Sequence, residues 1–219
     1  MNAKGDKYDV SGYPEAQLQP GSRGKVLMNL RGITRLRDME ALEISEHARI
    51  LGKYIETIDS GKRFTAADIR AMHKNWLGKI YEWAGTYRNI NIGKSGFQFA
   101  SAAYIPQLMD DFEKEILARY TPCRGDIDAV SYAIALTHAE LVLIHPFREG
   151  NGRLARLLAV LMGLQAGLPP FDFYLISGEK REKPYFSAVR AALSHNYVPM
   201  KIIFRKIIEY SLKKADRNV

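Results

Sequence analysis

Twelve consecutive residues, HPFREGNGRLAR at positions 145–156, bring together side chains that could perform chemistry on a phosphate. His145 has an ordinary pKa of about 6.5, which suits it to accept a proton from a hydroxyl group near neutral pH. Glu149 stands beside two glycines and an asparagine that could bind an anion, and its charge would repel a phosphate unless a cation such as Mg²⁺ lay between them. A proton acceptor, a metal carboxylate and an anion cradle are the parts that phosphoryl or nucleotidyl transfer requires.

Two apolar segments flank this motif and predict how it is positioned. Residues 126–144 are typical of a buried helix that cannot continue through the proline after His145, so this histidine should lie where the chain leaves the core. A second buried helix is expected over 151–166, and its free N–H groups would favour a phosphate at its beginning. Arg153 and Arg156 are three residues apart on that helix, so both should project from one face.

The segment YRNINIGKSGFQFA, residues 87–100, predicts one β-hairpin in an otherwise helical chain. Apolar and polar residues alternate around the turn GKSG, which is the pattern of paired strands. The hairpin could lie on the core through its two phenylalanines, or its open edge could pair with an extended segment of a partner protein. The sequence leaves both interpretations open.

Elsewhere the apolar periodicity predicts further helices and a single domain. Residues 1–25 are rich in glycine and proline and predict an irregular arm, followed by one domain over 26–219. Thr65 should cap a helix, because Asp68 follows it at the N3 position of a capping box. Helices are expected at 34–58, 66–81, 102–119, 126–144, 151–166, 181–194 and 198–214.

The composition excludes several classes of protein. The 219 residues are 47% hydrophobic, which is ample for a packed core, and the single cysteine, Cys123, excludes a disulfide framework. The sequence predicts neither a membrane span nor a signal peptide, and therefore a cytoplasmic protein, with delivery into another cell as an alternative. The net charge of +8 favours anionic partners, but no nucleic-acid-binding motif accompanies it, so nucleic acid is not the expected partner.

The motif resembles the signature of Fic-domain proteins, H-x-F-x-[DE]-[GA]-N-[GK]-R-x-x-R, at every specified position. The segment YEWAGTYRNINIGKSGFQF is similar to the region leading into the flap of that family, and VLMNLRGIT is similar to the N-terminal arm of its cell-filamentation type. Together these segments extend the resemblance to roughly residues 12–205. The resemblance implies an all-α Fic fold, a helical bundle with one small β-hairpin flap over the active-site loop. It also implies protein AMPylation, in which AMP passes from ATP to a Ser, Thr or Tyr hydroxyl of a target protein.

Carried over residue by residue, the resemblance makes His145 the general base and Phe147 the anchor of the loop in the core. Glu149 would hold Mg²⁺ against the phosphates of ATP. The other assignments place the α-phosphate at Gly150, Asn151 and Gly152, the β- and γ-phosphates at Arg153 and Arg156, the extended target segment at the flap residues Ile92, Gly93, Lys94 and Ser95, and the adenine beside Tyr185 and Phe186.

Several alternatives remain open within this resemblance. Relatives that transfer phosphate carry lysine where this chain has Gly152, so AMP transfer is favoured over phosphate transfer, while UMP and GMP transfer stay possible. A catalytically weak module that binds nucleotide or protein is a further alternative, although it would not need His145. Many relatives inhibit themselves with a helix bearing [ST]-x-x-x-E-[GN], and only Ser11 and Glu15 have that spacing here. Because Gly12 and Pro14 intervene, we expect no such helix, and either a separate antitoxin-like protein supplies the glutamate or the enzyme is not inhibited in this way.

Overall fold

The chain folds as a bundle of helices with one small hairpin. A computed structural model describes residues 12–94 and 96–217, without the side chains of residues 179–182. Within those residues the α-helices are α1 (Leu36–Thr57), α2 (Ala66–Leu77), α3 (Ile105–Asp111), α4 (Ala118–Tyr120), α5 (Ile127–Ile144), α6 (Asn151–Gln165), α7 (Glu179–Ala192) and α8 (Val198–Asp216). This confirms the predicted all-α class.

Helix α5 is the centre of the bundle and packs against α6, α7 and α8. Most of its residues are buried, because its sequence is apolar on nearly every side. By length and hydropathy alone α5 could cross a membrane, but 67% of it is buried inside the domain, which is the packing of a core helix. Helix α6 is buried along most of its length as well. The start of the motif, residues 145–150, connects these two buried helices.

Local capping sets where several helices begin. The predicted capping box of α2 is present: the Thr65 side chain accepts from the Asp68 amide, and the Asp68 carboxylate accepts from the Thr65 amide. Asp126 caps α5 by accepting from the Ala129 amide. The predicted end of α2 at residue 81 is wrong, because the helix ends at Leu77 and the next residues turn inward. Residues 102–120 form the expected helical segment, although a π-helical turn at Phe112–Leu117 separates α3 from α4.

The N-terminal arm and the hairpin are the least regular parts of the described chain. Residues 12–35 contain one 3₁₀ turn, Pro14–Ala16, and an isolated bridge between Leu18 and Leu27. The hairpin pairs β1 (Gly93–Lys94) with β2 (Phe97–Gln98) in antiparallel register. We call residues 92–99 the flap. Ser11 and the predicted flap residue Ser95 lie outside the described residues.

Candidate active site

His145 follows the last residue of α5 in a left-handed backbone conformation, with φ 53° and ψ 58°. Such angles are uncommon outside glycine, and here Pro146 disfavours the right-handed helical region for the residue before it. The imidazole Nδ1 lies 3.0 Å from the carbonyl oxygen of Val142. Since a carbonyl oxygen can only accept, Nδ1 carries the proton, and Nε2 of the neutral ring is left as an acceptor. Burial lowers the pKa of His145 to about 4, so the ring is neutral at pH 7.

The flap covers one face of this histidine. The Phe99 ring stacks on the His145 ring with centroids 3.6 Å apart, and Phe97 packs edge-on against Phe99 at 5.2 Å. Both phenylalanines therefore do more than attach the hairpin to the core. Phe99 joins the flap directly to His145, and Phe97 does so through Phe99.

The motif loop, residues 145–150, is held from the inside by two buried polar side chains. Asn151 donates to the Phe147 carbonyl at 2.7 Å and accepts from the Phe147 amide at 2.9 Å. His73 stacks on the Phe147 ring at 3.9 Å, and its Nδ1 accepts from the Gly85 amide at 2.8 Å. The other ring nitrogen, Nε2, therefore carries the proton and donates to the Glu149 carbonyl at 3.0 Å. Phe147 is fully buried, as predicted for the anchor of the loop.

Two glycines in the motif differ in what they tolerate. Gly150 has a φ of 85°, and a Cβ there would lie 2.6 Å from the Trp76 ring, so both the backbone and the packing require glycine. A Cβ at Gly152 would meet no atom within 4 Å, so the space beside it is open. Helix α6 begins at Asn151 without a side-chain cap. Its first backbone N–H groups are thus available to an anion. The Asn151 side chain is occupied by Phe147, so its backbone amide is the group that could contribute to the predicted anion hole.

A charge network lies beside this helix N-terminus. Arg153 pairs with Glu43 of α1 at 2.7 Å and with Glu149 at 3.3 Å, and its guanidinium lies 4.7 Å from the centre of the Trp76 ring. The Glu43 carboxylate is buried and also accepts from the Tyr81 hydroxyl at 2.7 Å. Arg153 is therefore fixed between two carboxylates, one structural and one exposed.

The motif, the flap and α7 surround a cavity of about 770 Å³, which Arg153 and Glu149 help to line. The carboxylate among its lining residues is Glu149, whose side chain is 44% exposed and accepts from the Gly150 amide at 2.8 Å. No group of three or more His, Cys, Asp and Glu residues that could hold a metal is present in the described residues. Mg²⁺ needs only one or two protein carboxylates when phosphates and waters complete its shell, so Glu149 fits the predicted metal ligand. The lining also includes the cations Lys94, Arg153, Arg156, Lys183 and Arg190.

The structure brings most of the predicted site residues to this cavity. Its lining includes His145, Glu149, Gly150, Asn151, Gly152, Arg153, Arg156, Tyr185, Phe186 and the flap residue Lys94. The predicted flap residues Ile92 and Gly93 do not line it. Tyr185 is only 6% exposed and its hydroxyl lies 2.9 Å from His138 Nε2, whereas Phe186 is 39% exposed and has Lys94 5.8 Å above its ring. The roles of these residues toward a nucleotide or a target remain predictions.

Sequence reasoning missed several residues that position the site. Glu43 and His73 were not singled out for it, and Phe99 was interpreted only as a possible core contact. Arg88 donates to the carbonyl oxygens of His145 and of Ala100, yet it belongs to no sequence motif that would have identified it. For Phe99 the alternation of the hairpin was a usable signal. For the others the partner lies too far along the chain for any local pattern.

Comparison with known proteins agrees with this geometry. Residues 63–162 match the model of the Fic/DOC family. The chain is 29% identical to the protein adenylyltransferase VbhT of Bartonella schoenbuchensis over 95% of this chain and 42% of that protein. It is 27% identical to the probable protein adenylyltransferase y4lH of Sinorhizobium fredii over 82% of this chain and 91% of that protein. The chain thus spans less than half the length of VbhT, although nearly all of y4lH.

A solved structure shows the same architecture. The N-terminal Fic domain of a putative cell filamentation protein from Bartonella quintana, which contains bound ADP, superposes with a TM-score of 0.67 and 27% identity. The superposition covers 83% of this chain and 89% of that one. The family match spans the capped helix α2, the flap and the whole motif, and the motif lies in the bundle where its residues line one cavity. This chain therefore contains a Fic domain of the Fic/DOC family.

Proposed function

We propose that this protein is a protein adenylyltransferase that moves AMP from ATP to a hydroxyl group of a target protein. The observation that carries the proposal is the state of His145. Its Nδ1 is committed to the Val142 carbonyl, and Nε2 of the neutral ring is the proton acceptor beside the cavity. Two relatives are named adenylyltransferases or probable adenylyltransferases, which supports the same reaction.

The proposed reaction is a single displacement of pyrophosphate at the α-phosphorus of ATP. The oxygen of a Ser, Thr or Tyr hydroxyl forms a bond to the α-phosphorus of ATP, and its proton passes to Nε2 of His145. The bond from the α-phosphorus to the oxygen bridging the β-phosphate breaks, and pyrophosphate leaves. Glu149 would hold Mg²⁺, which neutralises phosphate charge when bound. The open amides at the start of α6 stabilise the charge on the transferring phosphate, while Arg153 and Arg156 bind the phosphates that leave.

The open space at Gly152 supports transfer of AMP over transfer of phosphate. A long side chain at this position would occupy the anion hole, whereas glycine leaves it clear for the α-phosphate. The alternative of a catalytically weak binding module fits less well. Such a module would not need a histidine whose Nδ1 is held by a carbonyl so that Nε2 can accept a proton. Transfer of UMP or GMP remains an alternative, because Phe186, an exposed aromatic residue of the cavity wall, could stack on any base.

We further propose that the N-terminal arm does not inhibit the site. Glu15 lies in a 3₁₀ turn, is buried, and accepts from the Asn89 amide at 2.9 Å. The backbone carbonyl of Glu15 also accepts from Arg148 at 3.0 Å. These contacts give Glu15 a structural role in the arm. Any inhibitory glutamate would then come from a separate antitoxin-like protein, and the protein would act in the cytoplasm or, after delivery, in another cell.

Labelled ATP tests the reaction. Cell lysate is incubated with the protein and ATP labelled either at the α- or at the γ-phosphate, and modified proteins are separated on a gel. Incorporation of the α-label alone indicates AMP transfer, whereas the γ-label alone would indicate phosphate transfer. His145→Ala should reduce incorporation by about 10²- to 10⁴-fold, which is the usual cost of losing a general base. His195→Asn is the matched control, because His195 is exposed and asparagine tolerates its positive φ of 55°.

Two outcomes would contradict the proposal. Equal labelling by His145→Ala and the unchanged protein would mean that this histidine is not the base. Binding of ATP without label transfer to any protein would favour the binding module. Calorimetry with ATP measures nucleotide binding separately from transfer. Under the proposal, His145→Ala should still bind ATP, because its anion site is intact.

A further inference from the structure

One buried arginine connects the flap to the end of helix α5. Arg88 is only 2% exposed, and its guanidinium donates to carbonyl oxygens rather than to carboxylates. Its Nη1 donates to Ile90 at 2.6 Å and its Nη2 to Ala100 at 2.5 Å. Residues 90 and 100 are the two ends of the chain segments that lead into and out of the flap. A single planar group therefore spans both attachments of the hairpin.

The same side chain reaches the catalytic histidine. Arg88 Nε donates to the carbonyl of His145 at 2.8 Å, and Nη2 lies 3.5 Å from the carbonyl of Ile144. The backbone amide of Arg88 also donates to the Pro146 carbonyl at 2.9 Å. These acceptors include the terminal carbonyls of α5, which have no partner within the helix. A cation at this helix end is favoured by the helix dipole, which accounts for a buried guanidinium bonded only to backbone oxygens.

We propose that Arg88 is a positioning residue that couples the placement of the flap to that of His145. The inference rests on the proposed adenylyl transfer only for its effect on rate. The guanidinium holds its donors in one rigid plane. A shift of the flap therefore moves Arg88, and Arg88 in turn shifts the backbone of His145. The coupling also runs through Phe99, whose ring lies on the imidazole. A target segment seated along the flap edge would thus be registered against the proton acceptor.

The charge of Arg88 contributes in a second way. Together with Lys94 it opposes protonation of His145, while the Val142 carbonyl and the charge of Glu149 favour it. Burial outweighs these effects. Arg88 therefore helps to keep the ring in its accepting form as well as in its place.

Two variants separate geometry from charge. Arg88→Gln removes the charge and most donors, whereas Arg88→Lys keeps the charge and loses the planar fork. We expect amide exchange at Phe99 and Ala100 to accelerate in both variants. The pKa of His145 should rise in Arg88→Gln and stay low in Arg88→Lys. Transfer should fall about 100-fold in both, since a misplacement of about 1 Å at a reacting group costs that much. The fall should appear in kcat, with the KM for ATP little changed.

Gln165→Ala is the control for stability alone. Gln165 is also buried and also joins two backbone segments, accepting from Cys123 at 3.0 Å and donating to Lys62 at 2.7 Å, but it lies at the far end of α6. It should lower the melting temperature without moving flap exchange or the His145 titration. If Arg88→Gln does not fold, Arg88→Lys carries the test through flap exchange. Unchanged exchange at Phe99 and an unchanged His145 titration in a folded Arg88 variant would overturn the proposal. Because both readouts are taken without ATP or target, they stand even if the transfer reaction is not the one proposed.

Discussion

Removing the Phe99 ring should make the candidate base easier to protonate. In the intact protein, burial is the main reason that the pKa of His145 is lowered from 6.5 to about 4. A difference of that size corresponds to about 3 kcal/mol against the charged ring. Phe99 covers one face of the imidazole at 3.6 Å, so Phe99→Ala would admit water to that face. If one face accounts for roughly half of the burial, the pKa should rise by about 1 unit, to about 5.

The effect is measurable by NMR of the His145 ring at about pH 5.5. With the pKa values above, about 3% of the rings should be protonated in the intact protein and about a quarter in Phe99→Ala. Phe173→Ala is the matched control, because Phe173 is also half-buried but does not line the cavity. A His145 ring that titrates near 6.5 in the intact protein would refute the reasoning. So would a Phe99→Ala variant that keeps its folded state and leaves the titration unchanged.

Four further substitutions probe the candidate anion site and the flap. Gly150→Ala should destabilise the protein by about 1–3 kcal/mol, since its Cβ would collide with Trp76 at a positive φ. Gly152→Ala should leave the melting temperature unchanged or raise it, because its Cβ meets open space and alanine is favoured over glycine in a helix; equal melting temperatures for both would count against the geometry. Ile92→Pro should lower target labelling while calorimetry shows ATP binding retained, because proline removes a backbone donor from the flap edge; loss of ATP affinity instead would make the flap a structural part of the nucleotide site. Arg156→Ala should weaken transfer by about 1.5–3 kcal/mol in kcat/KM, the value of a charge-assisted contact, and an increase in activity would reveal an internal inhibitor.

The candidate site could be located from the sequence because most of its predicted residues are contiguous. The end of α5, the turn at Pro146 and the start of α6 lie within a few residues of one another, so local rules place His145 and the amides of α6 together. Apolar periodicity and the Thr65 capping box located most helices for the same reason. Contacts such as Glu43 with Arg153 join residues 110 positions apart, and no local pattern reports them.

The hairpin shows why a correct pattern can still give the wrong extent. Alternation predicted pairing across residues 87–100, yet each strand has only two residues. Beyond the strands, the Phe99 amide donates to the Ile92 carbonyl at 3.2 Å. Further out, the Arg88 guanidinium donates to the carbonyls of Ile90 and Ala100, so a side chain binds the two segments where the backbone pairing ends. The short hairpin that results is held at its base by the same group that holds the end of α5.

The core and the site also share Trp76. This residue is fully buried in α2, and its indole N–H donates to the carbonyl of Glu43 at 2.9 Å. One part of its ring packs where only Gly150 fits, and its face lies under the guanidinium of Arg153. The carboxylate of Glu43, on the residue whose backbone Trp76 bonds, then completes the ion pair to Arg153. Because one buried side chain packs against both the glycine turn and the arginine, packing sets the spacing between the start of α6 and this cation.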